Sequence, residues 1–168
     1  RSLDTSFDGD GKLTFAVGTF NDYGLAMTLQ PDGKILVGGS TYVSATNTGS
    51  VFVARLLAAN GAFDTTFGTG GKTTTAVLAH ADGYSLAMQP DGKIILSGLT
   101  DNTGNSGSGA TANMLLLRYL ANGTPDPTFT GDGVQSYEFT TAMDAANAVK
   151  VQADGKIVAV GTTRVGSY

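Results

Sequence analysis

The sequence QPDGKI occurs at Gln30–Ile35 and again at Gln89–Ile94, and a variant, QADGKI, occupies Gln152–Ile157. Proline presets the first corner of a turn, aspartate tolerates the second, and glycine takes the left-handed backbone position. Each copy therefore predicts a tight hairpin turn, although Ala153 replaces proline in the third. The predicted turn residues are Asp32 and Gly33, Asp91 and Gly92, and Asp154 and Gly155.

Apolar strands flank each of these turns. Before the first turn, Met27 and Leu29 alternate with Ala26 and Thr28, which is the period of a β-strand. After each turn comes a short run rich in β-branched residues, which is typical of a strand buried on both faces. These runs are KILVGG (34–39), KIILSG (93–98) and KIVAVG (156–161).

A second landmark establishes a fixed period. The stretch LDTSF ends at Phe7, FDTTF ends at Phe67, and PDPTF ends at Phe129, so the spacings are 60 and 62 residues. A period of this size predicts an array of equivalent supersecondary units. The predicted units are 3–62, 63–124 and an incomplete 125–168, within a single domain, 1–168.

The third landmark is an arginine inside an apolar strand, in VFVARLL (51–57) and MLLLRYL (114–120). A charged group in such a strand should be paired, or its head should reach solvent. We therefore predict that Arg55 and Arg118 each bond a recurrent aspartate or backbone carbonyls. The recurrent aspartates are Asp4, Asp64 and Asp126. Because an active site is needed once, repeated residues favour an architectural role over a catalytic one.

The fold class that follows is all-β, with four-stranded antiparallel blades of a β-propeller-like repeat protein. An open β-solenoid is the alternative, but its coils are usually much shorter. Leu3–Val17 is interpreted as a lone fourth strand, followed by two full turns of the repeat and then two strands. Three units cannot close a ring, so we expect further repeats or partner chains to complete it through edge strands.

Taken together, LDTSF, QPDGKI and the arginine strands resemble the delta-60 repeat of bacterial proteins. The resemblance covers essentially the whole chain, with departures at Ala153, Pro125, Pro127 and Val134. It implies a β-propeller module with no settled biochemical function, in proteins that are often longer and exported. It supplies no catalytic residues.

Composition narrows the function classes. Only 14% of residues are charged, the net charge is −4, and there are 24 glycines and no cysteine. A negative chain argues against nucleic acid and anionic membrane surfaces. The absence of cysteine excludes disulfides, zinc-thiolate sites and thiol nucleophiles. No stretch has the apolar length of a membrane span. Abundant Thr, Ser, Asn and Gly predict a bacterial exported protein, extracellular or on the cell surface.

The connection between second and third strands varies most in length, at 42–50 and 101–113. Insertions confined to one connection lie on one face of a repeat array, often its binding face. The candidate ligand-binding residues, for a glycan or a protein, are Tyr42, Asn47, Asp101, Asn102 and Asn105. Alternatively, such loops are tolerated because nothing depends on them.

One stretch and two single residues are also considered as candidates for metal binding or catalysis. Asp8 and Asp10 in DGDGK resemble half of a calcium loop, although turn formation explains the same residues. His80 is the only histidine, and we interpret it as a surface residue because only Asp82 is near it in sequence. Glu138 is the only glutamate, and no GxSxG, HExxH or Walker motif occurs.

The sequence therefore favours a non-catalytic exported module with a structural, adhesion or scaffold role and no cofactor. The first alternative is a propeller that binds carbohydrate or protein through the two variable loops. The second is a fragment of a propeller enzyme whose catalytic residues lie in other blades.

Overall fold

The computed structural model describes residues 2–43, 48–102 and 111–164, and its regular structure in these ranges is entirely β. Helices long and apolar enough to cross a membrane are absent from the described ranges. The ten strands are β1 (Asp22–Leu29), β2 (Ile35–Tyr42), β3 (Gly49–Leu56), β4 (Lys72–Thr75), β5 (His80–Met88), β6 (Ile94–Asp101), β7 (Ala112–Tyr119), β8 (Val134–Tyr137), β9 (Asp144–Val151) and β10 (Ile157–Thr163).

The strands form three antiparallel sheets, here called blades. Blade 1 has the order β1-β2-β3-β4, blade 2 has the order β5-β6-β7-β8, and blade 3 pairs β9 with β10. The predicted all-β fold of four-stranded blades is confirmed. Each complete blade takes its fourth strand from the following sequence repeat, because β4 and β8 come after the Asp-x-Thr-Phe stretches that open the second and third units.

The repeated hexapeptide forms the predicted hairpin in all three blades. The three turn glycines have φ of 84–85°, which glycine adopts without strain. In the first turn, the Gly33 amide donates to Gln30 O at 2.9 Å, and the Lys34 amide donates to Asp32 Oδ1 at 3.1 Å. The same amide bonds recur at Gly92 and Gly155. The turn residues therefore serve the hairpin itself.

The core lies between the blades. β6 is buried along its whole length because blade 2 is covered on both faces, as its apolar run predicts. Leu36 of blade 1 packs in one cluster with Leu86 and Leu96 of blade 2. On the other face of blade 2, Ile95 packs with Val149 of blade 3. β10 carries the same kind of sequence but is largely exposed, since no described strand covers its outer face.

A β-bulge in the hairpin explains a recurrent glycine. In blade 2 the register shifts between Gly83 and Ser85, which brings Asp82 O against Gly98. A Cβ at Gly98 would lie 1.7 Å from that oxygen, so no other residue fits there. A Cβ at Gly39 or Gly161 would likewise lie 1.8 or 1.7 Å from the equivalent carbonyl oxygen.

The prediction of a lone fourth strand at Leu3–Val17 is wrong. The segment is not a β-strand, because no described strand forms a ladder with it. It nevertheless lies against blade 1: the Phe15 ring meets the rings of Phe52 and Phe63 edge-on, with centroids 6.5 and 5.2 Å apart. Lys72 Nζ also donates to Ala16 O at 3.0 Å.

Candidate functional site

Each complete blade contains an arginine clamp. In blade 1, Arg55 Nε donates to Asp64 Oδ2 at 2.9 Å and Nη2 donates to Thr66 Oγ1 at 3.0 Å. The guanidinium also lies over the Phe67 ring, 4.8 Å from its centroid. Its remaining nitrogen, Nη1, donates to Ala121 O of blade 2 at 2.8 Å. The Asp-x-Thr-Phe stretch therefore binds the arginine. The prediction that Arg55 bonds a recurrent aspartate is confirmed.

Blade 2 repeats this clamp with one contact missing. Arg118 Nε donates to Asp126 Oδ2 at 2.8 Å, Nη2 donates to Thr128 Oγ1 at 3.0 Å, and the guanidinium covers the Phe129 ring. Among the described residues, no carbonyl of a following blade takes the place of Ala121 O. Within the described residues, the contacts of this clamp are therefore confined to blade 2.

The charge on Asp64 is strongly stabilised. Hydrogen bonds from the Thr66 hydroxyl and amide, with the nearby Arg55 and Lys34 cations, outweigh burial and lower the pKa of Asp64 to about 2. A carboxylate whose folded-state pKa lies below its ordinary value of 3.8 stabilises the fold above about pH 4. That contribution is lost as the pH falls through about 2. The clamp is therefore an ion pair throughout the neutral range.

Asp4 makes the aspartate contacts of a third clamp without an arginine partner among the described residues. Its Oδ1 accepts hydrogen bonds from the Ser6 amide at 3.0 Å and the Ser6 hydroxyl at 2.6 Å, as Asp64 does from Thr66. No arginine among the described residues reaches Asp4. Phe7 nevertheless rests on the next blade, because a Cβ at Gly61 would lie 3.0 Å from its ring, as Phe67 rests on Gly123.

A distinct cluster lies at the joint between blades 1 and 2, around His80. His80 is fully buried, so its interpretation as a surface residue is wrong. The Tyr42 hydroxyl donates to Asp82 Oδ1 at 2.9 Å and lies 3.3 Å from His80 Nε2. On the other side of the ring, Nδ1 lies 3.2 Å from Asp101 Oδ2, within ion-pair distance but outside hydrogen-bond geometry. Two loop candidates, Tyr42 and Asp101, are thereby brought together.

A one-residue shift of the aspartate along β5 creates this cluster, while the pairing register of the hairpin is the same in all three blades. Asp22 lies opposite Thr41 and Asp144 opposite Thr163, but the residue opposite Thr100 is Ala81 rather than Asp82. Since side chains alternate along a strand, one step places Asp82 on the opposite face.

The shift also changes what the aspartates do. Asp22 accepts from the Val17 and Gly18 amides at 2.9 and 3.0 Å, and Asp144 accepts from two equivalent loop amides. Asp82 instead faces the Tyr42 hydroxyl of blade 1 and the Tyr84 hydroxyl. Burial, reinforced by this carboxylate, raises the pKa of Tyr84. The joint between blades 1 and 2 is therefore chemically unlike the joint between blades 2 and 3.

A cavity of about 280 Å³ opens beside this cluster, at the end of blade 2 that carries the variable loop. Its wall includes the predicted candidates Asp101 and Asn102, together with Asn113 and Glu138. Leu78, Thr100, Thr111 and Thr141 complete the lining. Carboxylates, amides and hydroxyls with one apolar side chain provide hydrogen-bond acceptors and donors around a space large enough for a small polar ligand.

The remaining candidates are not assembled into a site. Asn47 and Asn105 lie outside the described residues. Asp8 and Asp10 are exposed, and Asp10 Oδ1 accepts the Lys12 amide at 2.9 Å within its own turn. In the part of the chain that the structure describes, no three His, Asp or Glu side chains are grouped to hold a metal ion. Calcium binding at Asp8 and Asp10 stays a prediction.

Sequence reasoning missed His80, Tyr84, Asn113 and Glu138 as neighbours of the loop candidates. One signal was present: eight residues separate Asp22 from Gln30 and Asp144 from Gln152, whereas seven separate Asp82 from Gln89. The shorter spacing shows that Asp82 takes the strand position of Tyr23 and Ala145, one residue later than Asp22 and Asp144.

Comparison with known proteins agrees with this architecture. The chain gives no match among curated proteins. A family model described as a domain of unknown function (DUF5122) beta-propeller matches residues 30–67 and 89–129. Each matched segment runs from the glutamine before a hairpin turn to the phenylalanine of an arginine clamp. Over these two segments, the chain is similar to a β-propeller family of unknown function.

Proposed function

We propose that this chain is a non-catalytic scaffold or adhesion module of an exported protein, and that its end blades bind further blades. The single observation that carries this proposal is the exposure of apolar side chains on faces that are buried elsewhere in the same chain. Met27 in blade 1 is 65% exposed, whereas Leu86, at the equivalent position of blade 2, is 7% exposed.

The opposite end of the chain supports the same role. Val158 and Val160 of blade 3 are among the exposed large apolar residues, whereas Ile95 and Ser97, which take their places in blade 2, are fully buried. Exposed apolar patches of this kind mark interaction surfaces in soluble proteins. Unpaired strand edges beside them offer backbone groups for strand addition.

A non-catalytic role is supported by the contacts that the recurrent charged residues make within the chain. Arg55 and Arg118 are occupied by the clamps, and the turn aspartates bond their own backbone. Export is supported by composition, with few charges and abundant Thr, Ser, Asn and Gly.

Methionine oxidation tests the blade-binding role. The protein from its natural source and the recombinant 168-residue chain are treated with peroxide, and each methionine is followed by mass spectrometry. We expect Met27 to react at least about tenfold more slowly in the source protein, because another blade covers it. Met88, half-buried in blade 2, is the internal control and should react alike in both. Equal reactivity of Met27 in the two samples would overturn the proposal.

A second candidate function, recognition of a polyol such as a glycan, is favoured by the cavity beside Asp101. Glycan hydroxyls pair well with carboxylates and amides, and Asn102, Asn113 and Glu138 present these groups around the space.

Glycan-array binding, with isothermal titration of any hit, tests this second function. We expect Glu138→Gln combined with Asn113→Ala to weaken binding about tenfold or more, since one hydrogen bond to the ligand is lost and another loses its charge assistance. The control is Gln152→Ala, an exposed change away from the cavity. Binding that is insensitive to the double variant, or no binding at all, would count against the cavity.

A further inference from the structure

Blade packing in this chain depends on one pair of positions. The first, called the socket, is occupied by Gly38 in β2, and the second, called the knob, is occupied by Leu86 in β5. A Cβ at Gly38 would lie 3.0 Å from Leu86 Cγ and Cδ1, so the knob uses the space that a side chain in the socket would fill. Leu86 is correspondingly buried.

The joint between blades 2 and 3 repeats this arrangement with different residues. Ser97 holds the socket, because it pairs with Ser85 in the register in which Gly38 pairs with Ala26. Val149 holds the knob and is 1% exposed. Ser97 is fully buried, and its hydroxyl donates to Ala146 O at 3.2 Å. Both joints therefore combine a small socket with a branched apolar knob.

The exposed knob position of blade 1 and the exposed socket position of blade 3 break this pattern on one side only. On the open face of blade 1, the knob is Met27, which needs a small socket opposite. On the open face of blade 3, the socket position is Val160, which pairs with Ala148 in the same register. Val160 adds a branched side chain where Gly38 has none and Ser97 has a hydroxyl. If two copies of this chain stacked head to tail, Met27 would meet Val160, and the joint would be overpacked.

We infer that the open face of blade 1 binds a blade whose socket is glycine or serine, and that Val160 prevents a second copy of this chain from serving as that blade. This inference rests on the proposed blade-binding role. It continues an interface seen twice within the chain and adds the residue that determines which blade fits. The pair acts as a specificity determinant, because mismatched volumes discriminate against the wrong partner.

Opening the socket of blade 3 tests the inference. Val160→Ser and Val160→Gly are compared with the unaltered chain by sedimentation velocity over a broad concentration series. We expect both variants to self-associate about tenfold or more tightly, because Met27 of one copy can then enter blade 3 of the next. Adding Met27→Asp should return the association to the level of the unaltered chain. Circular dichroism confirms that the variants remain folded.

The matched control is Val158→Ser, which removes apolar surface from the same face of β10 but leaves Val160 in place. It should not increase self-association. The inference is overturned if the unaltered chain already associates through Met27, or if neither Val160 variant gains affinity. If Met27 is protected from oxidation in the source protein while the Val160 variants change nothing, the blade-binding role is supported. The inference that Val160 excludes a second copy is then overturned.

Discussion

Replacing Gly98 with alanine is expected to lower the free energy of unfolding by at least about 3 kcal/mol. The added methyl group would lie 1.7 Å from Asp82 O, and the contact is with backbone rather than with a flexible side chain. Relief requires the β5 bulge to move, and β5 holds Leu86 in the core and Asp82 at the joint with blade 1. Urea denaturation followed by circular dichroism measures the change.

Gly24→Ala is the matched control for this prediction. Gly24 lies in β1, and its added methyl group would be 3.5 Å from Val37 Cγ1, an ordinary van der Waals contact. The expected change is within about 1 kcal/mol. Equal losses in the two variants would show that glycine in these strands matters for backbone freedom rather than for the close approach at Gly98.

The second large effect is expected for Arg55→Met, which should cost about 3 kcal/mol. Methionine keeps most of the volume of the side chain but removes the cation that pairs with buried Asp64 and the donor to Ala121 O. The remaining Lys34 ammonium, 3.4 Å from Asp64 Oδ2, compensates only in part. Thermal and urea denaturation at neutral pH measure the loss.

Arg118→Met provides the comparison, because the same chemistry is present without a bond to a following blade. Compared with Arg55→Met in a Lys34→Met background, its cost should be smaller by about 1 kcal/mol, the typical net value of one hydrogen bond, because no described lysine lies beside Asp126. Adding Asp64→Asn to Arg55→Met should recover part of the stability, since no unpaired carboxylate remains. No recovery would mean that the arginine acts through packing on Phe67 rather than through its charge.

The repeat-level features of the fold were predictable from the sequence because they depend on local rules. The hairpin turns need a left-handed glycine after aspartate, and Gly33, Gly92 and Gly155 provide it. The arginine clamp could be predicted because a charge inside an apolar strand needs a partner, and Asp64 and Asp126 follow their arginines by nine and eight residues.

The candidate site was only partly predictable, because it depends on contacts between blades. Tyr42 and Asp101 were chosen for lying in variable loops, yet their meeting at His80 depends on contacts between blades and on the position of Asp82 in β5. A shift of one residue moves a side chain to the other face of a sheet, so Asp82 could not be separated from Asp22 by spacing from the preceding phenylalanine. Likewise, whether Leu3–Val17 forms a strand depends on a pairing partner rather than on its own residues.

The offset between sheet and sequence repeat affects how such a chain can change in length. A four-stranded sheet is complete only with β4 or β8, which belongs to the next repeat of the sequence. The junction between two repeats therefore lies between the third and fourth strands of one sheet. Duplication or deletion of one whole period, started at any point, therefore preserves complete blades, whereas a chain cut at a repeat boundary loses its outermost strand. In evolution, gain and loss of entire repeats should be tolerated far more readily than truncation at the boundary that the sequence makes most visible.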